Sequence, residues 1–313
     1  MSRSLADAHW SLFVYRNIAR HWHSLWCRWA PSGELKTKFC AERIFTPLAD
    51  AAGTKMQVIY HYQDERGTVS TGPQCGPWEI TEAHSRADGM AHPSSPDSMT
   101  TLMLPNGPSA WCMKALPSGA AGPCAVEMFL HHGDSQRVSF GVIHGPDGTL
   151  QQLSLIREHT RGPWPQPDWS DSDVATPTTA AELQAVLAAG AGTPIAALGR
   201  GYTISAGLEQ QPVLEVPFGD TRVSKVTDSD SALLCAEKTC ALVAPSHLVD
   251  PAFIGGRRVG TLMHPGDGFL PDGSAGWCSA AAWWPTPTVL YTIEARWGAK
   301  GELEGVRWLE FRG

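Results

Sequence analysis

The sequence predicts an all-β protein built from two tandem antiparallel up-and-down β-barrels, each preceded by a short helix. The first observation is a repeat, in which Leu104-Pro105-Asn106-Gly107-Pro108-Ser109-Ala110-Trp111-Cys112 returns, altered, as Leu270-Pro271-Asp272-Gly273-Ser274-Ala275-Gly276-Trp277-Cys278. The second is a composition of 31 Gly, 24 Pro and only 18% charged residues in 313, which favours many short strands over helices. The third is that short apolar segments alternate with turn residues along most of the chain. A long repeat of this kind indicates one structural unit used twice.

The repeat divides the chain into two predicted domains joined by a linker. We expect the first barrel over residues 1–160, a Pro-rich linker over 161–179, and a second, shorter barrel over 180–313. The linker contains Pro163, Pro165 and Pro167, and such spacing is incompatible with the interior of a strand or helix. Ala180–Ala189, followed by Gly190, predicts the helix that introduces the second barrel. Each unit is long enough to bury a core of its own.

The first unit reads as a short helix followed by a meander of strands. Trp10, Phe13, Val14 and Ile18 have helical apolar spacing. About eight to ten strand-like segments follow, ending with Leu150–Glu158, and the connections between them are too short for parallel crossovers. A meander of this length removes its edges by closing into a barrel, and a barrel of about eight strands has room for one small ligand.

Composition and motifs exclude several classes of function. The net charge is −7 and no stripe of Lys and Arg is present, so we expect no nucleic-acid partner. No apolar run reaches the length of a membrane span, and no secretory signal is visible, so we expect an intracellular protein of the cytoplasm or a plastid. The eight cysteines lack zinc-type spacing and read as buried reduced thiols. Phosphate-binding loops, nucleophile elbows and metalloprotease motifs are absent from the sequence, and we expect no cofactor.

The order of several short motifs carries a family resemblance over most of residues 10–160. The motifs are Trp10-x-x-Phe13-x-x-x-Asn17, Leu25-Trp26-Cys27-Arg28, Pro31-Ser32-Gly33-Glu34, Asn106-Gly107, Ala110-Trp111, Glu127-Met128-Phe129, Arg137-Val138-Ser139, Gly148-x-Leu150 and Leu155-Ile156-Arg157-Glu158. Together they resemble a group of lipocalin-like proteins of undefined function from cyanobacteria and photosynthetic eukaryotes. That group is similar to the calycin superfamily, which also holds lyases that attach bilin chromophores to phycobiliproteins. The resemblance implies lipocalin-like barrels, and it implies function only by analogy.

Charged residues on neighbouring predicted strands are the first candidates for ligand chemistry. Glu127 and Arg137 occur in one copy of the repeat only, and an arginine fork suits a carboxylate. Glu127 is also the candidate catalytic residue. Arg157 and Arg312 end both copies, so we assign them to the fold. Arg157 and Glu158 are adjacent in a strand, so we expect at least one of them to face solvent.

Aromatic residues supply the remaining candidates for ligand binding. Trp26, Tyr60, Tyr62, Trp78 and Trp111 could line an apolar pocket and stack on a flat ligand, with core packing as the alternative. Because Trp111 recurs as Trp277, a structural role is the stronger alternative for that residue.

Two histidine pairs are candidate metal ligands, but we expect no metal site. His131 and His132 are adjacent in a strand and must point to opposite faces. His21 and His23 could share a face, although neither has an acidic or cysteine partner nearby in sequence.

Three hypotheses of function follow. The first is a carrier or binding module for a hydrophobic small molecule that is tetrapyrrole, carotenoid-derived or fatty-acid-like, with a protein acceptor as a further candidate partner. The second is a cofactor-independent lyase, isomerase or cyclase in which Glu127 moves a proton. The third is a protein-binding scaffold whose barrels are filled by their own side chains.

Overall fold

The computed structural model describes most of the first half of the chain and the terminal strands of the second. The described residues are 5–30, 34–49, 52–63, 69–116, 124–144, 150–162, 198–205, 210–217, 231–237, 240–245, 277–286, 289–298 and 300–312. The linker and the helix predicted at Ala180–Ala189 lie outside these residues.

The described part of the chain is mostly β-structure with one short α-helix, α1 (Leu5–Asn17). The strands of the first sheet are β1 (His21–Trp29), β2 (Leu35–Pro47), β3 (Gly53–Gln63), β4 (Val69–Thr81), β5 (Ser85–Arg86), β6 (Gly89–Met90), β7 (Met99–Met103), β8 (Ser109–Met113), β9 (Cys124–His132), β10 (Gln136–His144) and β11 (Leu150–His159), with a single 3-10 turn at Glu82–His84. The strands of the second sheet are β12 (Leu198–Ser205), β13 (Gln210–Pro217), β14 (Ser231–Glu237), β15 (Cys240–Pro245), β16 (Trp277–Thr286), β17 (Val289–Trp297) and β18 (Leu303–Arg312).

The first sheet is a nearly closed antiparallel barrel of eleven strands. Its order is β4-β3-β2-β1-β11-β10-β9-β8-β7-β6-β5, so strands that are consecutive in sequence pair with each other except β4 and β5, and β1 also pairs with β11. That pair joins the two ends of the meander, with Ser24 opposite Glu158 and Trp26 opposite Ile156. The sheet is interrupted between β4 and β5. The prediction of antiparallel, mostly-β architecture is confirmed in this form.

The second sheet repeats the same plan in seven strands. Its order is β13-β12-β18-β17-β16-β15-β14, and β12 pairs with the last strand, β18, as β1 pairs with β11. Many residues of the second half, including the predicted helix, are outside the described residues. The arrangement of two complete barrels therefore stays a prediction.

Helix α1 closes one end of the first barrel. Phe13 packs edge-on against Phe45 at a ring distance of 6.0 Å and stacks on Trp10 at 5.7 Å. The helix ends where Ala19 adopts a φ of 60°, the left-handed conformation that terminates many helices. The residues with helical apolar spacing therefore form α1, whose apolar side faces the barrel interior.

The two copies of the repeated block occupy different positions in the strand order of the two sheets. Within the described residues, β8 with Trp111-Cys112 is followed by three further strands, whereas β16 with Trp277-Cys278 is followed by two. Arg157 is fully buried and the side chain of Arg312 is 74% exposed, so these two arginines have different environments. The block is therefore a poor guide to equivalent positions in the two sheets.

Part of the outer face of the first barrel is covered by the second sheet, which contacts β8 and β9. One cluster of buried residues spans both sheets and includes Trp29, Met128 and Phe140 of the first sheet and Trp283 and Ile293 of the second, whereas Ile80, Met90 and Met103 belong to a separate cluster inside the first barrel. Leu25, Cys27 and Trp29 on the outer face of β1 belong to the cluster that spans both sheets, whereas His21, on the same face at the start of the strand, is exposed.

This packing overturns the expectation that Arg157 or Glu158 faces solvent. Both residues are 0% exposed. Their side chains do alternate, since Arg157 pairs with Leu25 of the outer face and Glu158 pairs with Ser24 of the inner face. The two side chains point to opposite faces as expected, but the outer face of β11 at Arg157 is not exposed to solvent.

Candidate functional site

A cavity of about 240 Å³ lies inside the first barrel. It is far larger than the roughly 30 Å³ that one water molecule occupies in the liquid, and it is just below the range of about 300–1,000 Å³ of ligand pockets. Its walls come from α1, from strands β1–β4 and β6–β10, and from the β6–β7 connection. The lining residues are Phe13, Asn17, Trp26, Arg43, Phe45, Met56, Val58, Tyr60, Cys75, Trp78, Ile80, Met90, Ala91, His92, Ser94, Thr101, Met103, Trp111, Glu127, Phe129 and Arg137.

The walls of the cavity are mainly apolar and aromatic. Trp26 stacks on Phe39 at a ring distance of 5.6 Å, and Tyr60 meets both rings edge-on. Across the cavity, His92 contacts the rings of Trp78 and Trp111. Contacts between the rings fix the shape of the walls, which offers a rigid apolar surface to a ligand.

A buried ion network lies at one wall of the cavity. The Nε of Arg137 donates to Glu158 Oε2 over 2.5 Å, and Arg43 Nε lies 3.5 Å from Glu158 Oε1. Arg43 also donates from Nη2 to Glu127 Oε1 over 3.5 Å. Two guanidinium groups and two carboxylates thus lie within one connected network, which satisfies the general requirement that buried charges be paired.

Glu158 is ionised in this network. Burial by itself raises the pKa of its carboxyl group, but the charges of Arg137 and Arg43 and the hydrogen bond from Arg137 outweigh it and leave the pKa below its ordinary value of 4.5. Burial by itself lowers the pKa of Arg43, but the carboxylates of Glu158 and Glu127 outweigh this effect and raise that pKa. Glu158 and Arg43 are therefore both shifted toward their charged forms.

Contacts with Glu158, Trp22 and Asn17 fix the position of the Arg137 guanidinium. The guanidinium lies 4.1 Å from the centre of the Trp22 ring, and its Nη1 donates to Asn17 Oδ1 over 3.1 Å. Its Nη2 is buried and has no hydrogen-bond partner among the described residues. The indole Nε1 of Trp111, another lining residue of the same cavity, is likewise buried without an acceptor in the described part of the chain.

Glu127 presents a carboxylate to the cavity. Its Oε1 accepts a hydrogen bond from Ser139 Oγ over 2.8 Å in addition to the contact with Arg43. Glu127 is opposite Trp111 in the β8–β9 ladder, so both side chains project from the same wall.

Two further titratable groups of the cavity stay neutral at neutral pH. Burial, with smaller contributions from Arg43 and His84, lowers the pKa of His92 to about 4. Burial, followed by the neighbouring Cys75, raises the pKa of Tyr60 to about 12. Neither side chain adds charge to the cavity near pH 7.

The structure brings most of the sequence-predicted site residues together. Six of them line the one cavity: Trp26, Tyr60, Trp78, Trp111, Glu127 and Arg137. Tyr62 lies in β3, but its side chain is outside the described residues. Their role in binding stays a prediction, which is taken up under the proposed function.

Sequence reasoning missed Arg43 and His92 and left Glu158 out of the site. Arg43 had a visible signal, because Phe39, Ala41 and Phe45 occupy the alternate positions of the same strand and predict a buried face. An arginine on such a face needs a buried partner. His92 lies in a connection between short strands and had no comparable signal.

Neither histidine pair is among the residues that line the cavity. His131 contacts Trp22 inside the barrel, whereas His132 contacts Tyr291 of the second sheet, so they point to opposite faces. His21 and His23 share the outer face, where the structure also places Glu42 beside them. No acidic residue is near this pair along the sequence, but the β1–β2 ladder places Glu42 opposite His23.

The fold and the cavity define a class of mostly-β proteins with a nearly closed antiparallel barrel around an apolar interior. Within it, the chain belongs to the family described as domain of unknown function (DUF3598), whose N-terminal model matches residues 6–163. This match confirms the resemblance to a group of undefined function that the motif order indicated. No curated protein matches the chain.

Two solved structures are similar to this chain at low identity. One is a DUF3598-family protein of unknown function from Nostoc punctiforme PCC 73102, with 13% identity, a TM-score of 0.49, and coverage of 100% of this chain and 99% of the other. The other is the S-type phycobiliprotein lyase CpeS from Guillardia theta, with 12% identity, a TM-score of 0.32, and coverage of 49% of this chain and 92% of the other. In the described part of the chain, no helix is long and apolar enough to cross a membrane.

Proposed function

We propose that the first barrel binds one apolar small molecule that carries a carboxylate or carbonyl oxygen, and that the protein acts as a carrier or binding module for it. The observation that carries this proposal is the pair of buried, unpartnered donors, Arg137 Nη2 and Trp111 Nε1, on the walls of an apolar cavity. A buried donor without an acceptor costs about 1–3 kcal/mol, and a ligand oxygen would recover that energy. The cavity itself favours ligand binding over the filled barrels of a scaffold.

The charge balance of the interior supports an anionic ligand group. Arg43 and Arg137 are matched by Glu127 and Glu158, and the half-buried Arg28, which does not line the cavity, places its guanidinium above Trp26 and Phe39, 4.8 Å from the centre of the latter ring. An incoming carboxylate would therefore meet paired charges in the network and one further positive charge beside the aromatic wall.

The volume of the cavity favours two of the three ligand classes over the tetrapyrroles. A volume of about 240 Å³ suits a single chain or ring system, such as a fatty-acid-like or carotenoid-derived molecule. A tetrapyrrole would leave part of its body outside the cavity. Both kinds of ligand are included in the test.

The test is a binding titration with cis-parinaric acid, followed by fluorescence, and with biliverdin, followed by absorption. Thr101 lines the cavity, so Thr101→Phe should fill it and weaken binding at least tenfold. The matched control is Thr37→Phe, the same enlargement at an exposed position of β2, which should bind like the wild type. Equal affinity of the two variants for both probes would refute binding inside the barrel.

The anionic anchor is tested by competition of the bound probe with palmitate and with hexadecanol. The wild type should prefer palmitate, and Trp111→Phe, which removes the indole donor and keeps the ring, should reduce that preference roughly tenfold, as expected for about 1–3 kcal/mol per buried hydrogen bond. A wild type that binds both competitors alike would rule out the anchor but leave the cavity as an apolar site.

A second candidate is an acid–base enzyme of lyase, isomerase or cyclase type, and the observation that favours it is the carboxylate of Glu127 at the cavity wall. In a lyase of this kind the ligand would pass to a protein acceptor. Glu127→Gln separates the two candidates, because a carrier should keep most of its binding, whereas an enzyme should keep binding and lose turnover of the bound ligand.

A further inference from the structure

A cluster of three histidines and one glutamate lies on the outer face of the first barrel. His21 and His23 come from β1, Glu42 from β2 and His61 from β3, which are three adjacent strands. Glu42 is directly opposite His23 in the β1–β2 ladder. Residues that alternate with this set, such as Arg43 and Tyr60, line the cavity. The cluster therefore belongs to the opposite face of the sheet and is separate from the proposed ligand site.

The side chains of the cluster converge on one carboxylate. His21 Nε2 is 2.5 Å from Glu42 Oε2, and His61 Nε2 is 2.8 Å from Glu42 Oε1. The rings of His21 and His23 stack at a centroid distance of 4.1 Å. Candidate ligand atoms of His21, His23 and Glu42 all lie within 4.8 Å of one another.

We propose that His21, His23 and Glu42 form a site for a divalent transition-metal ion of the Zn²⁺ type, and that His61, 2.8 Å from Glu42 Oε1, is the neighbouring imidazole that orients this carboxylate. In a tetrahedral zinc site with bonds of about 2.0–2.1 Å, ligand atoms are about 3.4 Å apart. Atoms already within 4.8 Å reach that separation by small side-chain rotations.

The chemistry of the donors selects the kind of ion. Imidazole nitrogen suits Zn²⁺, Cu²⁺ and Ni²⁺, whereas Mg²⁺ and Ca²⁺ require shells of oxygen ligands. A set of two imidazoles and one carboxylate therefore excludes the hard cations.

Location and burial make the cluster accessible yet ordered. The side chain of His21 is 44% exposed, and those of Glu42 and His61 are 27% and 25% exposed. An ion can enter from solvent beside His21. The ring of His159, on the neighbouring β11, lies 6.0 Å from that of His23, so β11 packs beside the cluster.

The experiment uses tag-free, full-length protein that has been stripped with chelator. Calorimetric titration with ZnCl₂ should give one ion per chain, and titration with MgCl₂ should give none. His23→Ala and Glu42→Gln should each weaken Zn²⁺ binding at least tenfold, because each removes one ligand. The matched control is His84→Gln, which removes a half-buried histidine outside the cluster and should bind Zn²⁺ like the wild type.

A spectroscopic measurement on the wild type keeps the proposal testable if a variant fails to fold. Co²⁺ bound in this set should show the intense visible bands of tetrahedral coordination, and Zn²⁺ should abolish them by displacement. Absence of these bands, or equal affinity of His23→Ala and His84→Gln, would mean that the cluster is only a hydrogen-bonded surface network. The result is independent of parinaric acid and biliverdin binding, so the two proposals fail separately.

Discussion

At the scale of single residues, the most constrained group in the molecule is the carboxylate of Glu158. It is fully buried and has two arginine neighbours, Arg137 and Arg43. Removing one partner of a buried ion pair costs much more than the pair contributes net, because the remaining charge stays desolvated. The free energy of unfolding should therefore depend strongly on this one side chain.

We expect Glu158→Gln to lower the free energy of unfolding by about 3–5 kcal/mol at pH 7, because two buried guanidinium groups lose their carboxylate. Urea denaturation measures the change. Glu79→Gln is the matched control, since Glu79 is 63% exposed and its 3.4 Å contact with Lys55 is on the surface. Such pairs contribute about 0–1 kcal/mol.

The dependence on pH gives the check on this prediction. The folded pKa of Glu158 is below 4.5, so its ionised form stabilises the fold above that pH, and the contribution is lost as the pH falls through the lowered pKa. The gap between the wild type and Glu158→Gln should therefore narrow in acid. A gap that is constant from pH 7 to acid would show that the loss has another cause.

At the scale of elements, helix α1 is attached through one buried arginine. Arg16 Nη1 donates to the carbonyl of Gly133 over 2.9 Å and to Asp134 Oδ1 over 3.2 Å, and its Nη2 donates to the carbonyl of Asn106. Asn106 and Gly107 form the turn of the first repeated block, with φ angles of 67° and 100°. A Cβ at position 107 would come within 2.1 Å of Arg16, so glycine permits both the turn and the close approach. The block thus has a structural role in anchoring the helix.

We expect Arg16→Ala to reduce the free energy of unfolding by about 2–3 kcal/mol and to increase hydrogen exchange in α1, because it removes hydrogen bonds that involve a charged donor. Ser11→Ala, on the exposed side of the same helix, should change stability by less than about 0.5 kcal/mol. Hydrogen exchange followed by mass spectrometry measures the helix directly. Unchanged exchange in α1 of the arginine variant would show that apolar packing alone holds the helix.

At the scale of the whole molecule, the two sheets depend on each other. The indole Nε1 of Trp297 donates to the carbonyl of Met113 over 2.9 Å, and the amide of Leu303 donates to Lys114 over 2.9 Å. The buried cluster that spans both sheets continues across these contacts. The division into units at residues 161–179 stays our proposal, but the units do not bury separate cores.

We expect a chain shortened to residues 1–162 to associate or to melt well below the full-length protein, because it would expose the apolar outer face of the first barrel. Light scattering after size-exclusion chromatography and thermal unfolding by circular dichroism measure both effects. A monomeric fragment with the full-length melting temperature would contradict this interdependence.

The sequence by itself determined the antiparallel strands and the first helix, because periodicity and turn residues are local properties of the chain, and it named six of the residues that line the cavity. Alternation was enough to separate His131 from His132. The residue types of Trp26, Trp78 and Trp111, and the presence of Glu127 and Arg137 in one copy of the repeat only, made these residues candidates. Only the tertiary structure decided which outer faces are covered, and hence that Arg157 and Glu158 are both buried. It also brought Arg43 to Glu158 and Glu42 to the histidines of β1, since strand register joins residues whose distance along the chain carries no signal.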